Sequence, residues 1–305
     1  MTYGVTVEVG ELIGLRRIAQ RVQYDGNALA SRTGMHIARL RGRGMEFLET
    51  RHYQAGDDSR HIEWRVTART GRPHVKVFHE ERERPVVIVV DFRPSMHFGT
   101  RVAFKSVVAA RLAAILAWTV AKQGDRVGGL IFSDTCHHVF TPRGRQAGVL
   151  PLLSGLSHYT QRAQVEISST PNSSSLNQAL LRVQRVVKPG STIVILSDFY
   201  ALDSETERVL NRLHQHNDVL AYHVCDPLEC APPSPTHHAF TDGIKALDID
   251  TSLDSVRFGY QYSCDRRLGS IKSMFKKTSI QCSMVNSMTD LAALVRQTFP
   301  WGAHG

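Results

Sequence analysis

Two aspartates stand where a folded chain concentrates chemistry. Val86-Val-Ile-Val-Val90 is a continuous apolar, β-branched run that ends in Asp91, and Ile193-Val-Ile-Leu196 leads into Ser197-Asp198. Runs of this kind read as strands buried on both faces of a sheet. In an open parallel sheet, ligands bind at the carboxyl ends of strands where the strand order reverses. In the usual order the two runs are the first and fourth strands, neighbours at that point, which brings the carboxylates together. Two such charges repel unless a cation sits between them, and Ser95, four residues after Asp91, offers a hydroxyl ligand. The constellation has the chemistry of a divalent-cation site.

The elements that must position it follow from periodicity. After Asp91, a helix is predicted over Val102 to Lys122, where Phe104, Val107, Val108, Leu112, Ile115 and Leu116 recur at helical spacing and Gly124 lies just beyond. Arg126 to Phe132 and Cys136 to Phe140 form a hairpin across Ser133-Asp134-Thr135. Helices near Gly148 to Leu156 and Leu176 to Val187 precede the second buried strand. Helix Glu205 to His216, strand Val219 to Val224, helix Val256 to Lys277, strand Ser279 to Val285 and helix Met288 to Phe299 complete the alternation. The pattern predicts an α/β fold with a doubly wound, mostly parallel sheet over residues 85–305. Ala231 to Ser255, opened by Pro232, Pro233 and Pro235, reads as an irregular excursion within it. Residues 1–84 read as an N-terminal extension of short strands, because their apolar runs are short and alternating, as in Val75-Lys-Val-Phe78.

The chain has 305 residues, 42% hydrophobic and 21% charged, enough to bury a core without disulfide or metal staples. No apolar stretch approaches membrane-spanning length, since Val107 to Ala121 is short and carries Arg111. The N-terminal stretch has Glu8 and Glu11 and no apolar signal core, so a cytoplasmic protein is expected. Five cysteines, an odd number, are expected as reduced thiols, and no zinc-finger spacing accompanies them. The net charge of +9 gathers partly in Arg32, Arg39, Arg41 and Arg43, and partly in Arg266, Arg267, Lys272, Lys276 and Lys277. Neither group is interleaved with aromatics, so both read as a solvated or protein-facing surface rather than a nucleic-acid site.

Longer motifs resemble known families. Asp91-Phe-Arg-Pro-Ser95 is similar to the Asp-x-Ser-x-Ser motif of the metal-ion-dependent adhesion site in the von Willebrand factor A fold. Ser174-Ser-Leu-Asn-Gln-Ala-Leu180 resembles that fold's Thr-x-Leu-x-x-Ala-Leu, with Ser174 in the Thr place, and Asp198 falls in the place of the final Asp. More specifically, Gly42-Arg-Gly-Met-Glu46-Phe47, Arg51-His-Tyr53, Gly56-Asp57-Asp58-Ser-Arg60-His-Ile62-Glu-Trp64 and Lys76-Val-Phe-His-Glu80-Glu81 resemble the bacterial domain of unknown function 58 family. So do Gly124-Asp125-Arg126-Val127-Gly128 and Asp226-Pro227-Leu228-Glu229. The resemblance implies a partner, a MoxR-type AAA+ ATPase, and a chaperone-like or assembly role. It implies Asp91, Ser95, Ser174 and Asp198 as the metal-site residues.

One departure bears on that site. Arg93 stands where the adhesion motif has its first serine, and a guanidinium has five donors and no lone pair, so it cannot ligate a metal. It is expected to pair with Asp91 or Asp198 and replace the cation, or else to meet a partner's carboxylate. On this reading the adhesion site is degenerate and no cofactor is expected. The alternative is that Arg93 faces solvent and weak magnesium binding survives. Asp57 and Asp58 are candidate catalytic carboxylates, but Arg51, Arg60, Arg65 and Arg69 lie close in sequence, and a structural ion-pair network is the expected role. The leading function is therefore a non-enzymatic interaction protein. A phosphate-handling hydrolase, suggested by an aspartate after a buried strand, and a nucleic-acid-binding module remain as alternatives. The first lacks the second acid two residues on, where Arg93 stands.

Overall fold

A computed structural model describes residues 4–22, 45–54, 57–80, 85–162, 173–241 and 246–299. The chain divides into two compact units, Thr33–Glu83 on its own, and Met1–Arg32 together with Arg84–Gly305. The larger unit opens with two short helices, α1 (Val9–Gly14) and α2 (Arg16–Arg21). The small unit pairs β1 (Met45–His52) antiparallel to β2 (His74–Glu80), with helix α3 (Trp64–Thr70) between them.

The sheet of the larger unit is built from β3 (Val86–Asp91), β4 (Arg126–Phe132), β5 (His137–Gly144), β6 (Thr192–Ser197), β7 (Asp218–Val224) and β10 (Gln281–Val285). Its strand order is β10-β7-β6-β3-β4-β5. All neighbours are parallel except the edge strand β5, which returns antiparallel along β4. This is the doubly wound α/β architecture expected from the strand and helix pattern. The order reverses between β3 and β6, the two strands that lead into Asp91 and Asp198.

Helices cover both faces. On one, α4 (Lys105–Lys122) is buried from Lys105 to Val120 except at Arg111. A helix apolar nearly all round is an interior helix, and α4 lies between the sheet, α1, α2 and α5 (Gln146–Arg162). On the other face, α6 (Ser173–Val186), α7 (Ser204–His216) and the last turns of α8 (Asp254–Lys277) bury Leu176, Leu180, Val209, Leu213, Ile271 and Phe275 against Val87, Val89, Ile193 and Ile195. Helix α9 (Leu291–Thr298) closes the first face.

The first 84 residues are not one extension. Residues 4–22 pack with the sheet unit: Val7 and Leu12 are fully buried, Trp118 Nε1 donates to the Leu12 carbonyl at 3.1 Å, and Ser157 Oγ donates to the Val7 carbonyl at 2.8 Å. The stretch expected to be irregular contains a two-stranded antiparallel ribbon, β8 (His237–Thr241) and β9 (Ala246–Asp250). Its strands are short and the sequence before them is proline-rich, so local pattern alone gave no strand signal. Among the described residues no helix is long and apolar enough to cross a membrane.

Candidate functional site

Three parallel neighbours, β3, β6 and β7, each run into an aspartate at the carboxyl edge: Asp91, Asp198 and Asp226. Each aspartate turns the chain the same way. Its side chain accepts from the backbone N–H two residues on: Arg93 at 2.9 Å, Tyr200 at 3.0 Å and Leu228 at 3.0 Å. Such Asx turns satisfy backbone donors where a strand stops. Pro94 and Pro227 stand at the start of the short 3-10 turns that follow the first and third, with φ already set for a turn. The loop after Asp198 is strained instead, with Phe199 and Ala201 at φ of 50° and 61°.

Arg93 folds back on Asp91. Its Nη2 lies 2.7 Å from Oδ2 and its Nε 3.1 and 3.0 Å from the two carboxylate oxygens. Ser197 Oγ donates to the same carboxylate at 2.6 Å. Asp198 takes a different cation: Lys105 Nζ, from the first turn of α4, donates to its Oδ2 at 2.9 Å and to Glu229 Oε1 at 2.7 Å. Arg267, on α8, donates to the same Glu229 oxygen at 3.0 Å, and its guanidinium lies over the Tyr200 ring, 4.7 Å from the centroid. Arg93 and Asp198 approach to 3.8 Å, which joins the two halves.

The group is interior. Asp91 and Asp198 are 0% exposed, Arg93 1% and Lys105 2%. Burial by itself disfavours every charge here. The partners reverse that: burial is the largest influence on Asp198, yet the charges of Lys105 and Arg93 hold its carboxyl well below the usual range. Lys105 is likewise raised, as burial is outweighed by Asp198 and Glu229, and Arg93 is raised by Asp91, Asp198 and Asp134. Asp91, Asp198 and Glu229 thus face Arg93, Lys105 and Arg267, three charges of each sign.

The other residues singled out from sequence fall as follows. Ser95 is half-buried with its Oγ lacking a hydrogen-bond partner among the described residues. Ser174 lies half-buried in the first turn of α6. A direct contact between Arg93 and a partner's carboxylate does not fit its place, because the guanidinium is enclosed and already bound to Asp91. In the small unit, Arg51 pairs bidentately with Asp57 at 2.8 and 2.9 Å, and Arg60 with Asp58 at 3.0 Å. Arg65 and Arg69 are exposed on α3, and among the described residues Asp57 and Asp58 form separate pairs with Arg51 and Arg60 rather than one network. Of the basic groups, Arg32, Arg39, Arg41 and Arg43 lie outside the described residues, whereas Arg266, Arg267, Lys272, Lys276 and Lys277 all belong to α8.

Spacing along the chain does not assign Lys105, Glu229, Arg267 or Ser197 to the site. Two signals were present: a lysine opening an otherwise apolar helix, and Asp226-Pro-Leu-Glu229 directly after a strand.

The sheet is doubly wound and mostly parallel, with aspartates at the ends of adjacent parallel strands, which defines an open α/β domain with its polar site at the carboxyl edge. A family model described as "Protein of unknown function DUF58" matches residues 49–267, and the chain belongs to that family. It is similar to the uncharacterized protein Rv1480 of Mycobacterium tuberculosis strain H37Rv, with 29% identity over 226 residues, covering 72% of this chain and 68% of that one. The uncharacterized protein Mb1516 of Mycobacterium bovis matches to the same extent. Among solved structures, BatB from Bacteroides thetaiotaomicron has 12% identity and a TM-score of 0.40, covering 70% of this chain and 96% of that one. The SpRpn10 VWA domain has 10% identity and a TM-score of 0.36, covering 71% and 96%.

Proposed function

We propose that the chain is a non-enzymatic, cytoplasmic interaction or assembly factor in which the adhesion site has become internally charge-compensated. The observation that carries this reading is that the two aspartates in the adhesion-motif positions are each bound by a protein cation, Asp91 by Arg93 and Asp198 by Lys105. Magnesium prefers six oxygen ligands at about 2.0–2.1 Å, and the donors around these carboxylates are largely cationic nitrogens. The residues do not fit a divalent cation, and recognition on this reading is metal-independent. The same charge set speaks against catalysis, because the acids are paired with protein cations rather than poised. Family resemblance supplies the proposed partner, a MoxR-type AAA+ ATPase, whose engagement would involve the surface of this sheet edge rather than the buried aspartates themselves.

The test is thermal denaturation in magnesium and in chelator. The wild-type chain is expected to melt at the same temperature in both. Arg93→Ser, which restores the adhesion-site serine and frees Asp91, is expected to gain a magnesium-dependent rise of several degrees. A clear magnesium response in the wild type would sink the reading.

A further inference from the structure

Beside the ion group lies a cleft of about 1110 Å³. One wall is α8, which presents Val256, Tyr260, Ser263, Arg267, Ser270 and Ile271. These positions are spaced by three or four residues and share one helix face. The opposite walls are the strained loop after Asp198, the turn around Leu228 and Glu229, Phe98 and Ile249. From Val256 to Ile271 the helix runs about 22 Å at its ordinary rise, the length of an extended peptide of about six or seven residues. The volume exceeds the roughly 300–1,000 Å³ of usual small-molecule sites.

The polar atoms of the cleft select the occupant. Arg267 Nε and Ser95 Oγ both belong to lining residues, are buried, and lack a hydrogen-bond partner among the described residues. Among the described lining residues the one acid, Glu229, is already held by Lys105 and Arg267, while Arg266 at the rim is exposed. The lining is therefore apolar with unmet donors and a positive balance.

We infer that this cleft binds an extended acidic segment of a partner protein. Its apolar side chains enter between Val256, Leu228 and Ile249, and its carboxylates face Arg266 at the rim and the part-exposed Arg267. The inference rests on the interaction-protein reading and assigns it a surface and a partner chemistry.

Gly259 supplies a clean test. It lines the cleft within α8, and a Cβ there meets nothing within 4 Å, so a side chain can be added without a clash. The probe is a fluorescein-labelled heptapeptide alternating Glu or Asp with Leu or Phe, titrated into the full chain and read by polarisation. Its Gln/Asn counterpart and a labelled oligonucleotide serve as comparisons. The acidic peptide is expected to bind at least ten-fold more tightly than the amide peptide. Gly259→Glu should weaken it ten-fold or more, Gly259→Lys should leave it unchanged or tighter, and Arg266→Gln should weaken it about three-fold. Circular dichroism checks that each variant folds.

Equal affinity for acid and amide peptides, or no effect of Gly259→Glu, overturns the inference. Equal loss with Glu and Lys overturns the acidic assignment, and tighter binding of the oligonucleotide replaces it with nucleic acid. These outcomes are separate from the magnesium test. A magnesium-insensitive chain that ignores the acidic peptide loses the cleft assignment alone, whereas a magnesium-responsive chain that binds the peptide loses the charge-compensated site alone.

Discussion

Lys105 and Asp198 are 93 residues apart in sequence and meet as a buried ion pair, Nζ 2.9 Å from Oδ2, with 2% and 0% of their surfaces exposed. A pair so enclosed is costly to break, because the survivor is left as an uncompensated charge in a low-dielectric interior. It couples the start of α4 to the end of β6 and, through Glu229, to the turn after β7.

Lys105→Met is expected to lower unfolding free energy by about 3–5 kcal/mol, the range for losing one partner of a buried pair. Adding Asp198→Asn should recover part of that loss, since it removes the stranded charge. Urea denaturation of the two single variants and the double variant measures the coupling. Strict additivity would show that the pair is energetically inert.

His223, in β7, is 3% exposed and sits in the field of Arg267, Asp198, Glu229 and Lys105. Burial, the largest cause, and then Arg267 press it from 6.5 down to about 4. The unfolded chain therefore takes up a proton below pH 6.5 that the folded chain refuses until about pH 4, so stability falls as pH is lowered through that window. The loss is on the order of 3 kcal/mol for that separation. His223→Gln should flatten the urea midpoint between pH 6.5 and 4. An unchanged slope would mean that other groups carry it.

Below that window Asp198 takes over. Its folded-state value is depressed, so its contribution is complete above the ordinary carboxylate range and is lost as pH falls below it. Asp198→Asn should shift acid unfolding less steeply with pH than the wild type, as followed by far-ultraviolet circular dichroism.

Leu12 tests the placement of the N-terminal helices. It is fully buried within the same core as Trp118 and α5. Leu12→Ala should destabilise the sheet unit by about 2–5 kcal/mol, measured by denaturant titration. A change within experimental error would detach α1 from that core.

Periodicity in the sequence determined the α/β class, the buried strands, and that Asp91 and Asp198 end adjacent strands. These are local signals: continuous β-branched runs, helical spacing, and a strand order the alternation implies. Arg93 was legible too, because a guanidinium two residues after a strand-end aspartate has no nearer acid. Tertiary structure alone decided that Arg93 turns inward to Asp91, that Lys105 rather than Arg93 carries most of the compensation at Asp198, and that Glu229 and Arg267 close the set. It also decided that residues 4–22 belong to the sheet unit. Those outcomes depend on which distant side chains share a volume from which water is excluded, where charges must find partners, and spacing along the chain does not encode that meeting.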